Sequence, residues 1–100
     1  MELGRVTGQV VSTIKQDGLH SFKLLLVAPL DPATGADAAG VLPYVAVDLT
    51  GAGHGEVVVV ARGSAARVPP DTEKAPTDAA VVAIVDSVVL GREQTYSKNA

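Results

Sequence analysis

The chain has 100 residues, a formal net charge of −3 and no cysteine. Disulfide bonds, thiolate metal sites and a cysteine nucleophile are therefore excluded, and the acidic balance offers no basic footprint for a nucleic-acid backbone. Hydrophobic residues make up 47% of the chain but aromatic residues only 3%, so the apolar surface is spread over small and branched side chains. This is more apolar surface than one small barrel readily buries, and oligomerisation is the usual way in which such surface is covered.

The first strand is predicted over residues 2–15, where apolar and polar side chains alternate. Gly8 in its middle predicts a bulge or bend, and a long bent first strand favours a barrel. The first residues lack a signal-peptide pattern, and no apolar run reaches the roughly 20 residues of a membrane helix. We therefore expect a soluble protein with no membrane partner, and the absence of cysteine favours a reducing cytosol.

The middle of the chain predicts two strands and a long loop. Asp17-Gly18 indicates a turn with a positive φ, and residues 22–28 form a second strand that is apolar on both faces apart from Lys23. The second face of such a strand needs a cover, for which a neighbouring subunit is the simplest candidate. Residues 29–42 read as an exposed loop, and residues 44–49 as the third strand.

Residues 51–67 combine a glycine loop, a valine strand and a short turn. Gly51, Gly53 and Gly55 allow backbone angles that a β-carbon forbids, and the valines that follow are stiff at χ1 and favour a fourth strand over residues 56–61. Ser64 is predicted to cap a helical turn that Arg67 closes.

The last third of the chain predicts a surface linker and a long strand. Residues 69–77 are polar and rich in proline, and residues 79–90 form a fifth strand that is apolar on both faces until Asp86. The fold class is therefore all-β, a small five-stranded antiparallel barrel of the OB type with one short helical turn. We expect one barrel domain over residues 1–91 and a polar tail over residues 92–100, with Tyr96 as its one candidate anchor.

No catalytic or cofactor chemistry is expected from the candidate residues. The glycine loop precedes a strand and lacks the following Lys-Ser/Thr of a phosphate-binding P-loop, and Ser64 lacks the Gly-x-Ser-x-Gly elbow of a nucleophile. His20 and His54 lie in predicted loops without a second ligand at metal spacing. The sequence therefore predicts neither an enzyme, nor a metal site, nor a cofactor.

Two acids at strand ends allow a second chemical interpretation. Asp48 and Asp86 could form a carboxylate pair. Acids in such positions more often accept backbone N–H groups or bind an arginine such as Arg62 or Arg67. We therefore expect a structural role for both.

An OB-type barrel also raises the alternative of a binding module for a small ligand or single-stranded nucleic acid. Single-strand binding requires stacking aromatic side chains along a basic groove. Phe22, Tyr44 and Tyr96 are the only aromatic residues, and the net charge is acidic. Nucleic acid is therefore not an expected partner, although a binding module stays open as the second interpretation.

Several segments together resemble one known family. They are Arg5-Val6-Thr7-Gly8-Gln9-Val10-Val11-Ser12-Thr13, Leu24-Leu25-Leu26-Val27, residues 51–67, Asp78 and Ile84-Val85-Asp86. In this order they resemble the bacterial microcompartment vertex proteins of the EutN/CcmL family, found in carboxysomes and catabolic microcompartments, over nearly the whole chain. The resemblance implies a structural, non-enzymatic homopentamer of OB-like barrels that caps the fivefold vertices of a cytoplasmic shell. Its partners there would be hexameric and trimeric shell proteins.

Small side chains mark two candidate segments for the pore rim or the subunit interface of such a pentamer. They are Gly51, Ala52, Gly53, His54 and Gly55, followed by Gly63, Ser64, Ala65, Ala66 and Arg67. The resemblance also accounts for the doubly apolar strands, because a heterologous interface that closes into a ring covers a second surface on each subunit.

Overall fold

The computed structural model describes residues 1–19 and 21–98, and in this part of the chain the regular structure is almost entirely β-strand. The strands are β1 Glu2–Val10, β2 Lys23–Pro29, β3 Tyr44–Asp48, β4 Val57–Arg62, β5 Ala79–Ile84, β6 Ser87–Leu90 and β7 Glu93–Ser97. Short 3₁₀ turns cover Asp17–Leu19, Gly63–Arg67 and Pro70–Thr72. No helix in the described ranges is long and apolar enough to cross a bilayer.

Strands β1 to β5 close into a barrel in the order β1-β2-β3-β5-β4, which confirms the five-stranded OB-type fold. The structure adds two details to the prediction. β3 and β5 pair in parallel, through Val47 with Ala80 and Asp48 with Val81, whereas the other barrel pairs are antiparallel. A parallel pair requires a crossover, which β4 and the turn after it supply. The described residues also contain three short turns rather than one.

The barrel interior is filled by alternate residues of the strands, because successive side chains of a strand point to opposite faces. Its buried residues are Val6, Leu25, Val27, Ala46, Ala52, Val58, Val60, Ala79 and Val81. A second cluster lies on the outer side of β3 and β5, where Val47 and Ala80 pack against Ala66 of the Gly63–Arg67 turn. Part of the cover expected from a neighbouring subunit therefore comes from the chain itself.

The first strand is shorter than predicted. β1 ends at Val10, which pairs with Leu24, and among the described residues those just after it, 11–16, have no strand partner. The register shifts between Val6 and Gly8, which confirms the expected irregularity near Gly8. Gly18 does not adopt the positive φ that was expected; it lies instead where a β-carbon would be 3.0 Å from the Pro76 side chain. His20 lies outside the described residues.

The predicted fifth strand is interrupted, and part of the predicted tail is a strand. β5 ends at Ile84 because its partner strand β4 begins at Val57. The N–H of Val85 still donates to the carbonyl of Val57 at 2.8 Å, and beyond this bond β4 has no further residue to pair with. After this break, β6 and β7 form a separate two-stranded hairpin. The prediction of a continuous strand over residues 79–90 is therefore wrong. The domain division at residue 91 stays a prediction, and residues 99–100 lie outside the described ranges.

The linker over residues 69–77 is less exposed than its composition indicated. It contains the Pro70–Thr72 turn, and Thr72 is completely buried. The Thr72 hydroxyl donates a hydrogen bond of 2.7 Å to the carbonyl of Ala66, which satisfies the buried hydroxyl. This contact holds the linker against the turn that precedes it.

Candidate functional site

The Asp48 carboxylate organises the glycine loop, residues 51–55, at the end of β3. Its Oδ1 accepts hydrogen bonds from the backbone N–H of Thr50 at 3.0 Å and from the Thr50 hydroxyl at 3.1 Å. Its Oδ2 accepts the backbone N–H of Ala52 at 3.1 Å. The carboxylate thus replaces strand hydrogen bonds that the chain loses on leaving the barrel. The expected structural role of Asp48 as an acceptor of backbone N–H groups is confirmed.

Glu56 closes the same loop and connects it to the C-terminal hairpin. Its Oε1 accepts the backbone N–H of Gly53 at 2.7 Å, and its Oε2 lies 2.9 Å from the ammonium of Lys98. The Lys98 hydrogen bond, followed by the Gly53 N–H, lowers the pKa of the Glu56 carboxyl. The same pair raises the pKa of Lys98. Sequence reasoning missed this link, because the two residues are far apart in the chain.

The glycine loop leaves most of its backbone uncovered by side chains, and one of its residues, Ala52, is buried. Gly51 and Gly55 have φ values of 74° and 86°, and a β-carbon at either position would meet nothing within 4 Å. Glycine is therefore required there by backbone conformation and not by crowding. His54 is exposed, whereas Ala52 is completely buried in the barrel core. A buried alanine between two flexible glycines fixes the position of an otherwise bare surface loop.

The Gly63–Arg67 turn begins one residue earlier than predicted. Gly63 has a φ of 63°, and its N–H donates to the carbonyl of Asp78 at 2.7 Å. Extended Arg62 occupies the N-cap position, and Ser64 lies inside the turn. The prediction that Ser64 caps the turn is therefore wrong, because the left-handed glycine already redirects the chain.

The rest of this turn combines exposed and buried residues. Ser64, Ala65 and Arg67 are exposed, whereas Ala66 is completely buried beneath them. The Arg67 guanidinium donates to the carbonyl of Thr77 at 2.9 Å, so it binds the linker and not an acid. The turn is therefore held from below by Ala66 and from the side by Arg67.

The structure does not bring the two candidate segments together. They lie at opposite ends of β4, whose six residues span about 20 Å. At the end next to the turn, the Arg62 guanidinium lies 2.6 Å from the Glu2 carboxylate and 4.1 Å from the centre of the Tyr44 ring. The hydrogen bond to the Glu2 carboxylate is the largest contribution to the raised pKa of Arg62. This cluster joins β1, β3 and β4 where the turn leaves the barrel.

Arg5 connects three parts of the chain, a role that the alternating pattern of the first strand did not reveal. Its guanidinium donates to the Asp37 carboxylate at 3.1 Å, to the carbonyl of Gly35 at 2.9 Å and to the carbonyl of Gly55 at 3.1 Å. It also lies 5.9 Å from the centre of the Tyr96 ring. One side chain therefore links the long loop, the glycine loop and the hairpin, which supports Tyr96 as the expected anchor.

The described surface is rich in exposed large apolar residues for so small a barrel. They are Met1, Val11, Ile14, Val41, Leu42, Val45, Val68, Val89 and Leu90. Across the same ranges, no group of three or more His, Asp or Glu side chains could hold a metal ion. Exposed apolar surface of this kind is typical of chains that associate.

The chain is thus a closed OB-type barrel whose loops are held by hydrogen bonds and ion pairs and whose surface exposes many apolar side chains. These features are typical of a domain that associates with other protein subunits. Residues 1–86 match the protein-family model described as "Ethanolamine utilisation protein EutN/carboxysome". The chain belongs to the EutN/CcmL family, as its sequence motifs indicated.

Relatives and solved structures agree with this membership over nearly the full length. The "Bacterial microcompartment shell vertex protein EutN" of Escherichia coli K12 is 42% identical over 98 residues, covering 98% of this chain and all of the relative. The Gloeobacter violaceus CcmL structure has a TM-score of 0.91 at 40% identity and covers both chains completely. The "GrpN pentameric microcompartment shell protein" of Rhodospirillum rubrum has a TM-score of 0.78 at 44% identity, covering 90% of this chain and 99% of that one.

Proposed function

We propose that this chain is a structural shell protein whose homopentamer caps the fivefold vertices of a bacterial microcompartment. The observation that carries the proposal is the similarity to a protein named as a shell vertex protein, over 98% of this chain, and to one described as pentameric, over 90% of it. The exposed apolar residues of the single chain support it, because a ring of subunits would cover part of them. The role is non-enzymatic, and the protein would reside in the cytoplasm as part of the shell.

Hexameric and trimeric shell proteins are the proposed neighbours of the pentamer. A direct test is co-expression of a hexameric shell protein with and without this chain, followed by electron microscopy. With the chain, closed polyhedral shells are expected, because flat sheets of hexamers need fivefold units to close. Shells that are equally closed without it would contradict the proposed vertex role.

We also propose that the glycine loop and the Gly63–Arg67 turn form the pore rim or the adjoining subunit interface. Because β4 separates them, one segment would line the rim and the other would lie in the interface. Their exposed members would make the contacts, and buried Ala52 and Ala66 would support them from beneath.

Single cysteines test this assignment cleanly, because the chain has none of its own. His54→Cys and Ser64→Cys place one thiol in each segment, and a residue near a fivefold axis has four copies close by. We expect oxidation to cross-link one of the two variants between subunits. If neither variant cross-links within an intact pentamer, both segments lie away from the axis and the assignment is wrong.

The second candidate is an OB-type binding module for a small ligand or single-stranded nucleic acid, favoured by the barrel fold alone. Oligonucleotide titration followed by fluorescence anisotropy separates the two candidates. The shell function predicts a pentamer without affinity for the oligonucleotide. A monomer that binds it would support the module instead.

A further inference from the structure

Gly8 is a glycine that the single chain does not require. Its φ lies outside the left-handed region, and a β-carbon there would make only ordinary contacts, 3.8 Å and 3.9 Å from atoms of Leu26. Gly4, on the same strand, differs because a β-carbon there would collide with Val27. A glycine inside a strand is destabilising relative to alanine, and it often marks the close approach of another surface.

Gly8 belongs to an uncovered row on the outside of the barrel. It pairs with Leu26 of β2, and Leu26 pairs with Val45 of β3, so the three residues lie side by side on one face. Leu26 is half-buried and Val45 is 46% exposed. We call Gly8, Leu26 and Val45 the outer row. The outer row is apolar and carries no charged side chain, and at Gly8 the strand backbone is not covered by a side chain.

A concave apolar surface lies elsewhere on the barrel, where β1 meets β4. It is a groove of about 410 Å³ lined by Met1, Glu2, Leu3, Leu30, Pro32 and Val59. Leu3 and Val59 are cross-strand partners that face outward, since the flanking Val58 and Val60 fill the barrel interior. All but one of the lining residues are apolar.

We propose that the outer row of one copy seats in the β1–β4 groove of the next copy, an inference that rests on the proposed pentamer. A ring requires a heterologous interface, in which two different and complementary patches of the same chain meet. The strand order places the row on β1, β2 and β3 and the groove on the β1–β4 side, so the two patches face different directions. The missing side chain at Gly8 lets the rim of the groove approach the strand backbone.

The first test adds a side chain to Gly8. Gly8→Leu should leave the chain folded, because a β-carbon there makes only ordinary contacts with Leu26, but it blocks the approach of the next copy. We expect wild-type circular dichroism together with a loss of pentamer, measured by mass photometry. Gln9→Leu is the matched control, since Gln9 is exposed and pairs with Leu25 on the other face of the strand. A Gly8→Leu variant that stays pentameric would overturn the role of the row.

The second test uses two variants that damage one patch each. Val45→Glu in the row and Val59→Glu in the groove should each dissociate the ring, weakening association more than about tenfold, because an unpaired carboxylate would be buried. Mixed together they should form dimers, since one variant keeps an intact groove and the other an intact row. Circular dichroism checks that both are folded.

The outcomes separate this inference from the proposed function. A wild-type chain that is monomeric would reject the pentamer itself. A pentameric wild type whose two variants stay pentameric, or whose dissociated variants form no dimers when mixed, would reject this pair of surfaces and leave the pentamer standing.

Discussion

At the scale of single residues, two carboxylates hold the glycine loop in place. Asp48 accepts hydrogen bonds from Thr50 and Ala52, and Glu56 accepts one from Gly53. A loop with three glycines has high conformational entropy when unfolded, so its order depends on such acceptors. The bare backbone of the loop is thus fixed by its two neighbouring acids.

Asp48→Ala should destabilise the chain by about 1–3 kcal/mol, because the donors on Thr50 and Ala52 lose their acceptor. Urea unfolding followed by circular dichroism measures the change. Asp71→Ala is the matched control, since Asp71 is an exposed acid in the Pro70–Thr72 turn. Equal stability of the two variants would show that the Asp48 hydrogen bonds are unimportant.

The ion pair of Glu56 and Lys98 predicts a pH dependence. Because the folded pKa of Glu56 is lowered, first by Lys98 and then by the Gly53 N–H, its stabilising effect is complete above the unfolded value of 4.5. The effect is lost as pH falls through the lowered folded pKa. The stability difference between wild type and Glu56→Gln should therefore shrink from pH 6 to pH 3. A difference that stays constant over this range would contradict the assignment.

At the scale of elements, the β6–β7 hairpin depends on the barrel. A two-stranded sheet is marginal alone, and within residues 1–19 and 21–98 this one shares no strand pairing with the barrel. Arg5 lies against Tyr96, Lys98 binds Glu56, and the Thr95 hydroxyl donates to the carbonyl of Pro32 at 2.7 Å. The hairpin is therefore positioned by side chains and by the long loop that it touches.

Two glycines of the long loop provide a matched pair for testing that contact. Gly35 and Gly40 have φ values of 71° and 73°, but only at Gly35 would a β-carbon collide, with the carbonyl of Thr95. Gly40→Ala should cost about 1–2 kcal/mol of backbone strain. Gly35→Ala should cost about 1–3 kcal/mol more and should displace the hairpin. Thermal unfolding gives the stabilities, and equal losses would contradict the close packing of loop and hairpin.

The three middle strands are the ones that the sequence predicts most accurately. The apolar runs located β2, β3 and β4 to within one residue at each end. The end of β5 could not be predicted, because it depends on where β4 begins in space. The role of Arg5 likewise requires the long loop and the hairpin to meet at one point. The proposed rim and interface residues stay predictions, since a single chain does not define a fivefold axis.

At the scale of the whole molecule, the chain covers much of its own apolar surface and leaves the rest for assembly. The Gly63–Arg67 turn covers one outer face of the barrel, whereas the outer row and the β1–β4 groove stay open. Family membership and a pentameric relative give these open surfaces a common explanation. Five copies of one chain would bury them in a repeated contact.

The native mass of the wild-type protein at micromolar concentration tests this central claim most directly. Native mass spectrometry should show one species of five times the 10.1 kDa chain mass, without added ligand or nucleic acid. A species of 10.1 kDa that binds single-stranded oligonucleotides would contradict the shell function and favour the binding module.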